Sequence, residues 1–167
     1  MFYLIVSIVI IQRLTELVIA KRNEKWLRAN GAVEYGNEHY KYIVLLHIMF
    51  FVSMFIEYNI KGRHLEFSVI NYLFLVIFIL MQLMRFWVLI SLGKYWNTKI
   101  LRIPGSKLVS IGPYRYFKHP NYIIVCCEII AIPMIFDLYI TAIVFTVLNA
   151  FVLAVRIKEE NKVLSAR

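Results

Sequence analysis

Charge is scarce in this sequence. Asp, Glu, Lys and Arg make up 17% of it, 61% is hydrophobic and the mean hydropathy is +0.70, whereas an ordinary soluble domain carries about 25% charged residues. A single soluble core of this size could not hide so much apolar surface. Glycine is also thin, at six residues. No Gly-x-Ser-x-Gly elbow, Walker loop or Rossmann glycine pattern occurs, which excludes the familiar phosphate cradles. The four histidines, His39, His47, His64 and His119, show neither an i,i+4 pair nor a cysteine-histidine spacing, so the dense ligand shell of a zinc site is missing and no metal is expected. Two cysteines, Cys126 and Cys127, are adjacent in an apolar stretch, where they cannot readily bridge each other and would pack as small hydrophobes. A basic leader is lacking too: Met1-Phe2-Tyr3 opens an apolar run that leads into Lys21-Arg22 without a small-residue cleavage pattern, which reads as a retained helix. No repeat or low-complexity tract appears.

What is present is long hydrophobic runs. Five apolar segments can be drawn, at about 2–20, 42–58, 68–91, 121–136 and 138–156, each near the roughly 20 residues a helix needs to cross the hydrocarbon. The last two form a tight hairpin around Pro133 to Asp137, and each falls slightly short of a full span, so tilting, local thinning or partial burial in the protein is expected of them. The fold class expected is all-α, an integral membrane bundle of about five transmembrane helices. It comprises one domain, 1–167, with a three-helix part at 1–92 and a cofactor-binding loop, helical hairpin and tail at 93–167.

The net charge of +9 would suggest nucleic acid in a soluble protein, but the basic residues gather at segment boundaries, so topology explains them and no nucleic-acid partner is expected. With five crossings, the 21–41 loop, the 92–120 loop and the C-terminal tail share one side and hold five, six and four Lys or Arg residues, while the other side has only Lys61 and Arg63. The positive-inside rule then places the C-terminus and the basic loops in the cytoplasm and the protein in the cell membrane, with lipids as its surroundings.

Some polar groups fall inside the apolar runs. Arg13 and Glu16 are three apart in the first, close enough to pair on one helix face. They could wall a polar cavity or could rotate toward the interface, and Gln82 with Arg85 in the third run reads the same two ways. Glu128 and His47 lie deeper, where an interhelical hydrogen bond or a functional role would each account for them.

The longest non-apolar stretch, Gly93 to Pro120, contains Pro104-Gly105, Gly112-Pro113 and His119-Pro120. It is too rich in turn signals to be a mere tether. Its end, Lys107-Leu108-Val109-Ser110-Ile111-Gly112-Pro113-Tyr114-Arg115-Tyr116-Phe117-Lys118-His119-Pro120-Asn121-Tyr122, is at once aromatic, basic and turn-rich. Pro120 suits the first turn of the helix that follows, where free backbone donors could bind a polar ligand. The same composition also suits an interfacial belt of Tyr and Lys. At the end of the last helix, Arg156 and Glu160 stand one turn apart on one face, a spacing that by itself makes a common ion pair.

Taken in order, Leu108-Val109, Gly112-Pro113-Tyr114, Lys118-His119-Pro120-Asn121-Tyr122 and, after the hydrophobic hairpin, Arg156, Glu160 and Leu164 resemble the isoprenylcysteine carboxyl methyltransferase family. The matching core covers roughly residues 93–165, and the preceding helices look like the short bacterial branch. The resemblance implies a membrane methyltransferase whose S-adenosyl-L-methionine is held by Lys107, Leu108, Val109, Tyr114, His119, Pro120, Asn121, Tyr122 and Glu160. It implies that Arg156 faces and orients the acceptor. The chain departs from the larger members in ending soon after Leu164 and in carrying Asn161 where an acidic residue is common. These departures turn the expectation from a prenylated protein toward a lipophilic small molecule entering from the bilayer, an alkylpyrone-like polyketide, an isoprenylcysteine-like acceptor or another amphipathic acid or enol, methylated on oxygen. A membrane reductase related to sterol reductases, and a non-catalytic scaffold or transporter subunit, are the competing readings. The first is opposed by the missing extended basic and aromatic C-terminal segments. In the second, Arg156 and Glu160 would be only a salt bridge.

Overall fold

The structure, a computed structural model, describes residues 1–62 and 67–165, with the side chains of His39 and Ser165 left aside. Arg63 and His64, and the terminal Arg167, lie outside the described residues. Five α-helices account for most of the chain: α1 (Phe2–Ala29), α2 (Asn37–Lys61), α3 (Val69–Leu92), α4 (Pro120–Met134) and α5 (Tyr139–Ser165). Each expected apolar segment became a helix, so the all-α membrane bundle stands. Among the described residues, four helices are long and apolar enough to cross a membrane, Phe2–Ala29, Tyr40–Lys61, Val69–Tyr95 and Tyr139–Leu164. The pair expected to fall short of a full span divides. α5 runs on through its charged end for 27 residues, whereas α4 has only 15, about 22 Å of helix at 1.5 Å per residue against a hydrocarbon core of about 30 Å. α4 is the helix that sits inside the protein, with Ile124, Val125, Glu128, Ile129, Ala131, Ile132 and Pro133 all buried.

Consecutive helices alternate in direction. At the far end of the bundle, the Tyr3 hydroxyl donates to Asn59 at 3.3 Å and Lys61 donates to the Asp137 carbonyl at 2.7 Å. Asn71 caps α3 together with Ser68 and also donates to Met134 O and Asp137 Oδ1 at 3.1 and 2.8 Å. The free N–H groups that begin α5 are taken by a carboxylate from α2. Glu57 accepts from the backbone of Ile140 and Thr141 at 3.0 and 2.7 Å, which satisfies orphan donors and sets a negative charge against the positive end of the helix dipole. Phe2, Tyr58, Phe136 and Phe50 belong to the apolar core above this end. The expected hairpin turn is closed by Leu138 N donating to Pro133 O at 2.9 Å.

The opposite end carries the segments between α1 and α2 and between α3 and α4, together with the C-terminal end of α5, so the described parts of the three basic stretches share one end of the fold. Here the sequence reading missed a small antiparallel ribbon. β1 (Val33–Tyr35) pairs with β2 (Ile100–Arg102), with Glu34 opposite Leu101. Each strand is three residues long and has no period to read. The expected turns are present. Pro104-Gly105 turns the chain with Ser106 N donating to Ile103 O at 3.2 Å and Gly105 at φ 73°, the positive φ that a type II turn requires after proline. Gly112-Pro113 opens a short 3-10 turn, Gly112–Arg115, and Pro120 is the first residue of α4 with His119 before it.

Candidate active site

Gly112 decides where the loop lies. Its φ is +59°, and a Cβ there would stand 2.0 Å from Ser91 Oγ and 3.1 Å from Trp87 Nε1, so the loop backbone presses on α3 as only glycine permits. Pro113 is buried against this contact, and Tyr114 packs on the small core of Ala20, Val88, Trp96 and Ile124. Burial, and then the charge of Glu160, push the Tyr114 phenol well above its ordinary range, so it stays a neutral hydroxyl.

Four further side chains meet where α4 begins and α5 nears its end. Tyr122, two residues into α4, donates its hydroxyl to Glu160 Oε2 and receives Arg156 Nε at 3.2 Å. Arg156 and Glu160, whose spacing suggested a direct ion pair, are therefore joined through the phenol of Tyr122. The second hold on the guanidinium is Nη2 donating to the Thr98 carbonyl at 2.7 Å, and Arg156 is buried. His119 stacks on Tyr122 with ring centroids 5.2 Å apart and 19° between planes, places Nδ1 3.5 Å from Glu160 Oε2, and sets Nε2 3.2 Å from Asn161 Oδ1. Beside this cluster a cleft of about 400 Å³ opens between α4 and α5. It runs from Phe117, His119 and Tyr122 past Ile123, Cys126 and Cys127 to Leu153 and Ile157.

The expected site residues do not all converge. His119, Tyr122, Arg156 and Glu160 form one constellation. Pro120 is buried beneath it as part of the start of α4. Tyr114 lies at the same end of the fold and within electrostatic reach of Glu160. Asn121 turns the other way, its Oδ1 3.5 Å from Arg85 Nη1 inside the bundle. Lys107 and Leu108 are exposed and Val109 half-buried, and among the described residues no hydrogen bond ties these three to Tyr122 or Glu160.

Behind α4 the polar residues of separate apolar runs meet. Glu128 accepts from Arg13 Nη2 at 2.6 Å, Gln82 Nε2 at 2.8 Å, and Arg85 Nε and Nη2 at 3.1 and 2.5 Å. Glu16 accepts from Gln12 and Arg13 at 3.1 and 3.0 Å, with Arg85 Nη1 at 3.4 Å. Two cations thus face two carboxylates across α1, α3 and α4, which compensates charge that a membrane interior tolerates poorly. His47 is separate in its bonding, placing Nδ1 2.8 Å from Ile43 O. The sequence could show the Arg13–Glu16 spacing but not the partners, which are 43 to 115 residues away.

Sequence comparison supplies the family. Residues 73–166 match the model of the isoprenylcysteine carboxyl methyltransferase (ICMT) family, a span that contains the loop, Tyr122, Arg156 and Glu160. The chain belongs to this family. It is 42% identical over 164 residues to the uncharacterized protein YpbQ of Bacillus subtilis (strain 168), covering 98% of this chain and 96% of that one. It is 31% identical over 154 residues to an uncharacterized protein of Haemophilus influenzae, covering 92% and 88%. No solved structure gives a significant match. Membership in the ICMT family, together with the apolar helices, points to a membrane methyltransferase.

Proposed function

We propose that this protein is an S-adenosyl-L-methionine-dependent O-methyltransferase acting on an acidic carboxyl or enol hydroxyl of a lipophilic small molecule that enters from the bilayer. The observation that carries the reading is the convergence of Glu160, Tyr122 and Arg156 at the mouth of an apolar cleft. An acidic group for a cationic amino-acid cofactor and a basic group for an anionic acceptor stand on either side of one phenol.

The residues present fit that cofactor. Its tail offers an ammonium and its ribose two hydroxyls, and Glu160, whose side chain is 27% exposed, is the acceptor for them. The stacked rings of His119 and Tyr122 offer aromatic surface to an adenine or a sulfonium. When bound, the cofactor supplies an electrophilic methyl group. Everything else falls to the chain. Arg156 has Nε and Nη2 engaged, which leaves Nη1 to face an acceptor oxygen and hold it in line. A carboxylate or acidic enol is already ionised near neutral pH, so no strong general base is required, and Arg156 orients rather than abstracts. The wall of Cys126, Leu153 and Ile157 suits an apolar acceptor tail and keeps water away from the reacting oxygen. Lys107, Leu108 and Val109 would close over the cofactor from the loop, and the basic end would face the cytoplasm, where the cofactor is dissolved.

Calorimetric titration of the purified protein in detergent and lipid with S-adenosyl-L-methionine tests the first half. A folded protein without binding sinks the reading. With binding in hand, membranes incubated with methyl-labelled cofactor and a lipid extract should yield a labelled lipophilic ester or ether. Arg156→Ala should abolish that product and leave cofactor affinity largely intact, whereas Glu160→Ala should weaken the cofactor itself. Equal effects of the two on both ligands would overturn the division of roles.

A further inference from the structure

Arg156 and Glu160 are one turn apart on α5, the spacing at which opposite charges ordinarily close on each other. Their direct pairing would cancel the two groups on which the proposed reaction depends. Besides the Tyr122 hydroxyl that takes Nε at 3.2 Å, what holds the guanidinium away is the carbonyl of Thr98, 2.7 Å from Nη2. A carbonyl can play that part only if its peptide is held, and Thr98 lies in an irregular stretch, 96–99, between a 3-10 turn (Gly93–Tyr95) and β2.

The hold comes from Asn97. Its Oδ1 accepts from Lys99 N at 2.9 Å, spanning Thr98 in an Asx turn. Its Nδ2 donates to the Ala20 carbonyl of α1 at 2.9 Å. One amide therefore bends the chain around Thr98 and bolts the bend to a neighbouring helix at a buried residue. Neighbouring contacts act in the same sense. The Tyr40 and Thr98 hydroxyls are 3.1 Å apart, Asn23 Nδ2 donates to Gly93 O and Trp96 O at 3.1 and 2.8 Å, and Lys99 Nζ reaches Glu24 at 2.9 Å. That last bond raises the Lys99 ammonium above its ordinary range, so the clamp is charged throughout the neutral region.

We propose that Asn97 is a positioning residue: through the Thr98 carbonyl it keeps Arg156 off Glu160 and aimed at the acceptor. The proposal rests on the roles given above to Arg156 and Glu160, but the geometry it asserts can be read without methyl transfer. Phenylglyoxal modifies free guanidinium groups, and peptide mass spectrometry separates Arg156 from the exposed Arg22, which serves as internal reference. In the wild type, Arg156 should be protected. In Asn97→Ala it should be modified roughly tenfold faster relative to Arg22, the size of one lost charge-assisted hydrogen bond. In Asn97→Asp, which keeps an acceptor for Lys99 N and loses the donor to Ala20, the rate should fall between the two. Unfolding midpoints of all three are measured alongside, and if Asn97→Ala fails to fold then Asn97→Asp decides alone, with faster Arg156 labelling expected. Unchanged Arg156 labelling in a folded variant overturns the proposal. Absence of S-adenosyl-L-methionine binding by the wild type would sink the methyltransferase reading instead, leaving the labelling result to stand for the position of Arg156.

Discussion

Arg85 and Glu128 meet as a two-pronged pair inside the bundle, with Nε donating to Oε1 at 3.1 Å and Nη2 to Oε2 at 2.5 Å. Both side chains are almost completely buried, and Glu128 also carries Arg13. Removing the carboxylate leaves two guanidinium groups with Glu16 as their remaining acidic partner in this network. Breaking a buried pair from one side costs about 3–5 kcal/mol, whereas replacing both partners with apolar groups of similar volume is far milder. Glu128→Ala is therefore expected to lower the thermal unfolding midpoint in detergent sharply, and Arg85→Met combined with Glu128→Leu to recover much of the loss. If the double variant is as unstable as the sum of its parts, the pair is not the connection it is taken to be.

The phenol of Tyr122 is the hinge between the acidic and basic halves of the site. It donates to Glu160 and accepts from Arg156, and hydrogen bonds to charged groups contribute about 1.5–3 kcal/mol each. Tyr122→Phe keeps the ring that stacks on His119 and deletes only the hydroxyl. The variant should remain folded and bind S-adenosyl-L-methionine roughly tenfold more weakly, because Glu160 is freed to turn toward Arg156. Calorimetric titration of the variant reads this directly, and cofactor affinity equal to wild type would remove Tyr122 from the proposed site.

At Gly112 two costs fall on the same methyl group. The φ of +59° strains any L side chain, at about 1–2 kcal/mol, and the new Cβ would meet Ser91 Oγ at 2.0 Å, an overlap of the kind that costs about 1–3 kcal/mol in packed interiors. Gly112→Ala should therefore lift the 3-10 turn, and Tyr114 with it, off α3. Expected readouts are a lower unfolding midpoint and faster proteolysis between Pro104 and Lys118. Ser91→Gly should relieve the clash but not the backbone strain, and so rescue the variant only in part. Full rescue would show that φ carries none of the cost.

The five helices were legible because an apolar run long enough for a membrane has few other fates, and Pro133 to Asp137 read as a turn because proline and aspartate interrupt the last such run. The helix ends were not. α1 continues from Ala20 to Ala29 and α5 from Arg156 to Ser165, since a charged segment can prolong a helix without adding hydropathy. In the site, His119, Tyr122, Arg156 and Glu160 could be singled out because side-chain identity and order carry their chemistry. The Thr98 carbonyl could not, because a backbone acceptor is the same atom in every residue. Its importance comes from Asn97 and Ala20, far apart in sequence. The ion network lay equally out of reach. Arg13 could be set beside Glu16 and Gln82 beside Arg85 within their own runs, but not against Glu128, which only the packing of three helices brings to the same point.

The shared end of the basic segments makes orientation testable. Lys107 is exposed at the loop end and Asn59 exposed at the far end. Among the described residues, fourteen Lys or Arg fall in the segments of the loop end and Lys61 at the far end, and the side richer in such residues is retained in the cytoplasm. Single cysteines introduced as Lys107→Cys and Asn59→Cys, in a background carrying Cys126→Ser and Cys127→Ser, should respond oppositely to a membrane-impermeant maleimide. In intact cells Asn59→Cys should be labelled and Lys107→Cys protected until the membrane is opened. The opposite pattern would put the Glu160 and Arg156 end outside the cell, away from cytoplasmic S-adenosyl-L-methionine. It would count against the proposed cofactor more heavily than any single site variant, because every residue assigned to binding it lies at that end.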